Sequence, residues 1–347
     1  MLPLTTLVYP QQSSGQLSPE VIRGLVIMIT SFAYLISADF VIADTDDRHL
    51  DFYGSARVHL DLVKVDEAVA GEDKDYVGAR DAYSRVGVRG STAISNVDVV
   101  GTLELGINIA DFELGDPSFF DDQNIRVASV KLNSDFGTLT IGKDWLPFYN
   151  AVAAPVDLFS SVYAGFSTYA FFRENQLAFS SSYRNLNYTV AAISRTGSDD
   201  RGWQATASYP ISNWTLAVGG EFMEGDISDT AGASAIWERN NLYLAVKYEY
   251  NSTDGNIYNW HGQYQLKKTL LKAGVGLGDQ FGGNSWQLGV DYQLLPSLML
   301  FAEIYAEDLN YAILIEGAER ADQYLGEGGF GARQNGKALA IGAKFDF

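Results

Sequence analysis

Few side chains in this sequence could do chemistry by type, and none is spaced for it. The three histidines, His49, His59 and His261, are scattered, and no His, Asp or Glu spacing reads as a metal cluster. Cysteine is absent, which removes thiolate ligands and disulfides together. The run Phe179-Ser180-Ser181-Ser182 lacks the turn of a nucleophile elbow, and no base partner stands at a convincing position. Gly274-Val275-Gly276-Leu277-Gly278 has the glycine density of a phosphate loop, but it lies in a strand-period stretch with no helix pattern after it. No catalytic residue, metal or cofactor is therefore expected, and the chain reads as a non-enzyme.

What remains is charge carried on alternating faces. From His49 onward the dominant period is two residues. Phe52, Ala56, Val58, Leu60 and Leu62 share one face, and Asp51, Tyr53, Ser55, Arg57, His59 and Asp61 the other. Val97, Val99, Leu103, Leu105, Ile107 and Ile109 oppose Asp98, Thr102, Glu104 and Asn108. Leu242, Leu244, Val246, Tyr248 and Tyr250 oppose Lys247 and Glu249, and Trp286, Leu288, Val290, Tyr292 and Leu294 oppose Gln287, Asp291 and Gln293. Each run reaches about ten residues, the length of a tilted strand that crosses a bilayer.

The connections alternate as well. Ser95-Asn96, Asp135-Phe136-Gly137, Asn185, Ile211-Ser212-Asn213, Asn240-Asn241, Lys267-Lys268 and Pro296-Ser297 are short. Lys64 to Ala79, Glu113 to Asp122 and Glu316 to Gly336 are longer and acidic or Gly-rich. Short turns at one end and long loops at the other suit a membrane barrel, and counting strands between them gives about sixteen. Sixteen strands enclose a channel, whereas eight leave an interior filled by side chains. A secreted β-sandwich also alternates, but its strands run about five or six residues. The fold expected is all-β, a transmembrane antiparallel barrel.

Composition agrees. The net charge of −19 argues against nucleic acid as a partner, since phosphate binding needs clustered Lys and Arg. The mean hydropathy is near zero, as expected where lipid-facing and lumen-facing residues alternate and cancel. Gly24 to Ser37 form an uncharged apolar run after Arg23, too short to span a bilayer comfortably. That run fits the core of an export signal, with cleavage expected after Ala43. The organisation expected is a signal over residues 1–43 and a barrel over 44–347. The alternative reading of the run is a buried core helix.

The chain resembles the Gram-negative general porins, the trimeric sixteen-stranded diffusion pores of the outer membrane. Phe52-Tyr53-Gly54, Tyr83-Ser84-Arg85-Val86-Gly87-Val88-Arg89-Gly90 and Phe136-Gly137-Thr138-Leu139-Thr140-Ile141-Gly142-Lys143 carry the resemblance. Pro147-Phe148-Tyr149-Asn150-Ala151-Val152, Val156-Asp157-Leu158-Phe159 and the final Phe347 complete it. In the family a C-terminal Phe is part of the assembly signal, and the third external loop folds into the barrel to narrow it. Here that loop would run from about Trp145 to Phe172. Its aromatic content also demands something to pack on, and long connections in compact proteins are usually functional.

The resemblance implies a ladder of wall arginines facing loop acids. Arg85, Arg126 and Arg173 match the family's three arginines, and Arg57 joins them by alternation. Around Arg126 and Arg173 the period-2 pattern is noisy, so their orientation rests on the resemblance. Asp157 matches the first loop acid; Ser161 stands near the place of the second, and the family's Pro-Glu-Phe-Gly-Gly segment is absent. With Glu104 also counted, the narrow region leans positive. Arginine suits such a wall because it stays charged and its planar fork holds orientation.

The resemblance further implies a homotrimer in contact with lipid and lipopolysaccharide, passing small hydrophilic solutes and ions. The acidic pairs Glu72-Asp73 and Asp121-Asp122 could bridge divalent cations to lipopolysaccharide or be solvated loop tips. Two other functions stay open. A substrate-selective pore for oligosaccharides or anions would use inward aromatics such as Tyr53, Tyr83, Tyr243 and Tyr305. A non-transport barrel, such as an adhesin, would need larger loops than these.

Overall fold

The computed structural model describes residues 49–65, 75–110, 113–114, 125–163, 167–194, 200–225, 227–253, 255–279, 283–308 and 336–347. The export signal expected over 1–43, all but Gly336 of the loop expected from Glu316 to Gly336, and the acidic pairs Glu72-Asp73 and Asp121-Asp122 lie outside them. Among the described residues eighteen strand segments form one antiparallel wall. The first nine are β1 (His49–Val65), β2 (Asp75–Asp81), β3 (Arg85–Ile94), β4 (Val97–Asn108), β5 (Glu113–Leu114), β6 (Ile125–Ser134), β7 (Gly137–Trp145), β8 (Arg173–Tyr183) and β9 (Leu186–Ser194). The rest are β10 (Arg201–Ile211), β11 (Trp214–Met223), β12 (Thr230–Arg239), β13 (Leu242–Asn251), β14 (Gly255–Leu266), β15 (Thr269–Gly278), β16 (Asn284–Leu295), β17 (Leu298–Glu307) and β18 (Gly336–Asp346).

These segments make a closed barrel of sixteen strand positions. β2 and β3 pair with successive stretches of β1, Val58–Lys64 and His49–Ser55, so they are one position with a break. β5 is a two-residue rung on the end of β4, while β6 continues the wall. The break falls at Ala82–Ser84, where Tyr83 has φ 67°. Its backbone is satisfied locally: Ala82 N donates to Arg57 O (2.8 Å) and Ser84 N to Asp81 Oδ1 (2.7 Å).

Closure is made by β1 and β18, in register from Ser55↔Asp346 to Val65↔Gly336. Phe347 extends that ladder by one step. Gly54 N donates to Phe347 O (2.9 Å) and Phe347 N donates back to Gly54 O (3.1 Å). The Phe347 ring lies against Gly54, where an added Cβ would be 2.3 Å from Phe347 Cζ and would displace the ring. A closed sheet has no edge to pair with another chain.

All seven short connections are turns between neighbouring strands, as their sequences foretell. In five of them the first turn residue, Ser95, Arg184, Ser212, Asn240 or Lys267, takes a left-handed φ of 55° to 59°. Such a backbone matches the twist of the flanking strands in a two-residue hairpin. One expected loop is shorter than its sequence suggests. Within Lys64 to Ala79 the ladder continues to Val65 and resumes at Asp75.

Burial inverts the pattern of a soluble protein. On β13, Leu244, Val246, Tyr248 and Tyr250 are 40–44% exposed, while Ala245, Lys247, Glu249 and Asn251 are at most 5% exposed. The same inversion holds on β14, where Tyr258 and Trp260 are outward and Asn259 and His261 buried, and on β16 with Trp286 and Gln287. An apolar outer band with a polar interior is the arrangement that hydrocarbon requires, since closure satisfies every ladder amide without water.

Candidate functional site

Two of the wall arginines, Arg85 and Arg126, meet at one carboxylate. Tyr53, Gly87, Glu104 and Val127 stand in register across β1, β3, β4 and β6, so Tyr53 and Glu104 share the inner face. Glu104 Oε1 accepts from Arg126 Nε at 2.9 Å. Its other oxygen lies 3.5 Å from Arg85 Nε and accepts from Tyr53 Oη at 3.1 Å. Arg89 lies over the Tyr53 ring at 5.7 Å.

The noisy alternation around Arg126 has a cause. Glu104 pairs with Val127 while the next residue, Leu105, pairs with Ile125, which leaves Arg126 as the extra residue of a bulge. A bulge re-aims a side chain by breaking the strict alternation of faces. That is how an arginine beside two aliphatic residues reaches the Glu104 carboxylate.

Arg173 is held differently. It pairs with Trp145 where β7 ends and β8 begins, and its guanidinium carbon lies 4.7 Å from the Trp145 ring centre. Arg126 lies 6.0 Å from the same ring. Trp145 stacks on Tyr149 at 5.0 Å, and Tyr149 Oη donates to Asp157 Oδ2 at 2.5 Å. Burial pushes the Asp157 carboxyl up to about 6, against the opposing pull of the Tyr149 hydrogen bond and the charges of Arg57 and Lys247.

The segment between β7 and β8 carries two short helical turns, Tyr149–Ala153 and Ala154–Val156. It touches the polar face of the wall from β10 round to β1. Glu303 on β17 accepts the amides of Ser160 (2.7 Å) and Ser161 (2.9 Å), and Lys272 on β15 bonds the same carboxylate at 2.7 Å. Lys272 also lies 2.9 Å from Asp291. On β13, Glu249 accepts from Thr168 Oγ1 (2.9 Å) and from the amide of Tyr169 (2.5 Å), with Lys247 at 2.8 Å. Tyr163 Oη donates to Asp61 on β1 at 2.7 Å, and His59 and Arg80 lie 2.5 and 3.4 Å from that carboxylate. Wall carboxylates thus supply acceptors for amides that would otherwise be stranded away from water.

Two aromatic anchors complete the seating. A Cβ at Gly232 would lie 3.0 Å from both Phe148 Cζ and Val152 Cγ1, and one at Gly219 3.1 Å from Phe148 Cδ2. A Cβ at Gly274 would lie 2.8 Å from Phe159 Cε2, and one at Gly289 3.3 Å from Phe159 Cε1. Glycines on neighbouring strands therefore form shallow sockets for Phe148 and Phe159. The stretch that looks like a phosphate loop at Gly274 is one of these sockets.

The seven residues singled out from sequence fall into three groups. Glu104 gathers Arg85 and Arg126. Arg173 and Asp157 are joined through Trp145 and Tyr149. Arg57 donates to Ser160 O at 3.3 Å, next to Ser161, whose hydroxyl takes the amide of Tyr163 at 3.3 Å. Sequence reasoning missed Glu303, Asp291, Lys272 and the clamp at Asp61. Alternation marks these as polar-face positions, but nothing local tells which residue each one meets. Glu221, Glu249, Asp291, Glu303 and Glu307 are all buried on strands. Of the inward aromatics, Tyr53 bonds Glu104, Tyr243 bonds Pro155 O (2.7 Å) and Tyr305 stacks on Tyr163 (5.4 Å).

Comparison with known proteins gives a consistent picture. A family model described as Gram-negative porin matches residues 27–310. No curated protein matches the chain. Among solved structures, a mutant of the Rhodopseudomonas blastica porin is 18% identical, with 86% of this chain and 100% of that one covered at a TM-score of 0.61. The anion-selective porin from Comamonas acidovorans is 15% identical, with 87% and 100% covered at a TM-score of 0.67. At such identities the likeness is one of fold.

Proposed function

The chain belongs to the Gram-negative porin family and is an outer-membrane porin, and from that premise we propose a water-filled diffusion channel narrowed by the segment between β7 and β8. The observation that carries the narrowing is the Glu303 carboxylate, which accepts two consecutive amides of that segment. A segment bonded to the polar face of a closed wall occupies lumen. The open side is then bounded by Arg85, Arg126 and Arg173, with Arg57, Asp157, Ser161 and Glu104 at its margin.

Charges facing one another across such a neck set a transverse field. The field orders water, favours polar solutes and makes an apolar molecule costly to admit, and charge at the neck biases ion preference. Arginines outnumber acids among these residues, which leans the channel toward anions. The fold neighbour from Comamonas, described as anion-selective, fits that lean.

The chain is proposed to assemble as a homotrimer among lipid and lipopolysaccharide, after removal of residues 1–43. Mass spectrometry of outer-membrane protein retaining residues 24–43 would reject that cleavage. The channel itself is tested by single-channel recording in planar bilayers. Steady conductance that shifts its reversal potential toward the anion value in a salt gradient supports the reading, and absence of conductance overturns it.

A further inference from the structure

A cavity of about 470 Å³ opens on the turn side of the segment, between Trp145 and Ala151 and the facing strands β6 to β10. That volume lies within the range of pockets that hold small molecules. Its wall is set by register. Ser180 on β8 stands opposite Thr189 on β9, and Thr189 opposite Thr206 on β10. The Ser180 and Thr189 hydroxyls are 2.9 Å apart. Two residues nearer the turns, Asn187 stands opposite Ser208 in a second row.

Neighbouring strands are spaced about 4.8 Å apart, so these rows offer hydroxyl and amide groups at regular intervals. Each hydroxyl both donates and accepts, which suits a partner whose own groups do the same. The ionised pair on the lining, Lys131 and Asp144, is mutually neutralised at 2.9 Å, and Ser129 donates to the same carboxylate at 2.8 Å. Trp145 and Pro147 give the cavity an apolar edge. Nothing in this lining favours a net charge, in contrast to the Arg85–Glu104–Arg126 wall. Ser180, from the serine run at 180–182 that has no catalytic geometry, acquires a purpose as part of the wall.

We propose that this cavity is a docking station for a neutral polyhydroxylated solute of mono- or disaccharide size, entered from the side of the short turns. The proposal rests on the channel reading and adds a solute class to it. A solute held there delays ion flow beneath the narrow region and gives a saturable block.

The test is single-channel recording of the full chain with sucrose, against a polyethylene glycol of similar size that lacks clustered donors. Sucrose is expected to reduce current along a saturation curve in the millimolar range, whereas the glycol reduces it only in proportion to viscosity. The double substitution Thr189→Val with Thr206→Val keeps side-chain shape and removes two hydroxyls. It should raise the half-saturating sucrose concentration about tenfold. Should that variant fail to assemble, Ser208→Ala at the turn end of the cavity is read in the same way, with a rise of about threefold expected. A sucrose response that tracks viscosity, or variants that keep the wild-type half-saturation, overturns the docking station and leaves the channel standing. Loss of all conductance in salt alone overturns both.

Discussion

Glu104 Oε1 takes a hydrogen bond from Arg126 Nε at 2.9 Å, and the two residues meet only because a bulge in β6 turns Arg126 toward the inner face. The same carboxylate lies 3.5 Å from Arg85. One acid therefore offsets two arginines at the wall, and it is held to Tyr53 on β1 by a third contact.

Replacing Glu104 with Gln keeps the shape and removes that offset. The anion-to-cation permeability ratio should rise about two- to threefold at low salt, where charge at a narrow place is least screened. Reversal potentials under a potassium chloride gradient measure it. The effect should shrink toward nothing near 1 M salt, and a change that survives high salt would point to altered pore shape instead.

With Asp157 at the proposed neck, the channel should show a pH dependence with a defined sign. Its carboxyl is raised by burial to about 6, so it is charged near neutral pH and gains a proton as the pH falls through that value. Ordinary carboxyls titrate about two units lower. Between about pH 7.5 and about pH 5 the neck therefore loses one negative charge, and anion preference should rise as the medium is acidified. In Asp157→Asn the preference should already be high and flat across that window. A wild-type ratio that stays constant over the same range would show that Asp157 does not face the ions.

Gly274 tests the socket of Phe159. An added Cβ would lie 2.8 Å from the ring, so Gly274→Ala must displace the Phe159 ring from its socket. Crowding of this kind costs about 1–3 kcal/mol. Single-channel conductance should fall and heat resistance of the folded barrel should drop. Conductance equal to wild type in a correctly assembled variant would place Phe159 away from the conduction path.

Phe347 completes the seam between β1 and β18. Deleting it removes both hydrogen bonds with Gly54, each worth about 1 kcal/mol, along with the ring that lies against that glycine. The folded, heat-modifiable form should decline severalfold in outer-membrane preparations. Normal levels of the truncated chain would show that Gly54 and Ser55 close the seam unaided.

The sequence by itself determined the wall. Strand alternation, turn composition and the lack of any catalytic spacing are local properties, readable over two to twelve neighbouring residues. Hence the runs on β13 and β16 fall on the faces their pattern assigns, and the short turns fall where polar pairs such as Asn240-Asn241 interrupt it. Tertiary structure alone decided what the inner face does. Glu303 and the Ser160 amide are 143 residues apart, and Asp61 and Tyr163 are 102 apart. No periodicity links such positions, because closing a barrel brings together side chains whose only relation is height and direction in the wall. The bulge at Arg126 is the sharpest case. Period-2 reading fails there because one extra residue swaps the faces, and only the pairing of β4 with β6 reveals which way the arginine turns.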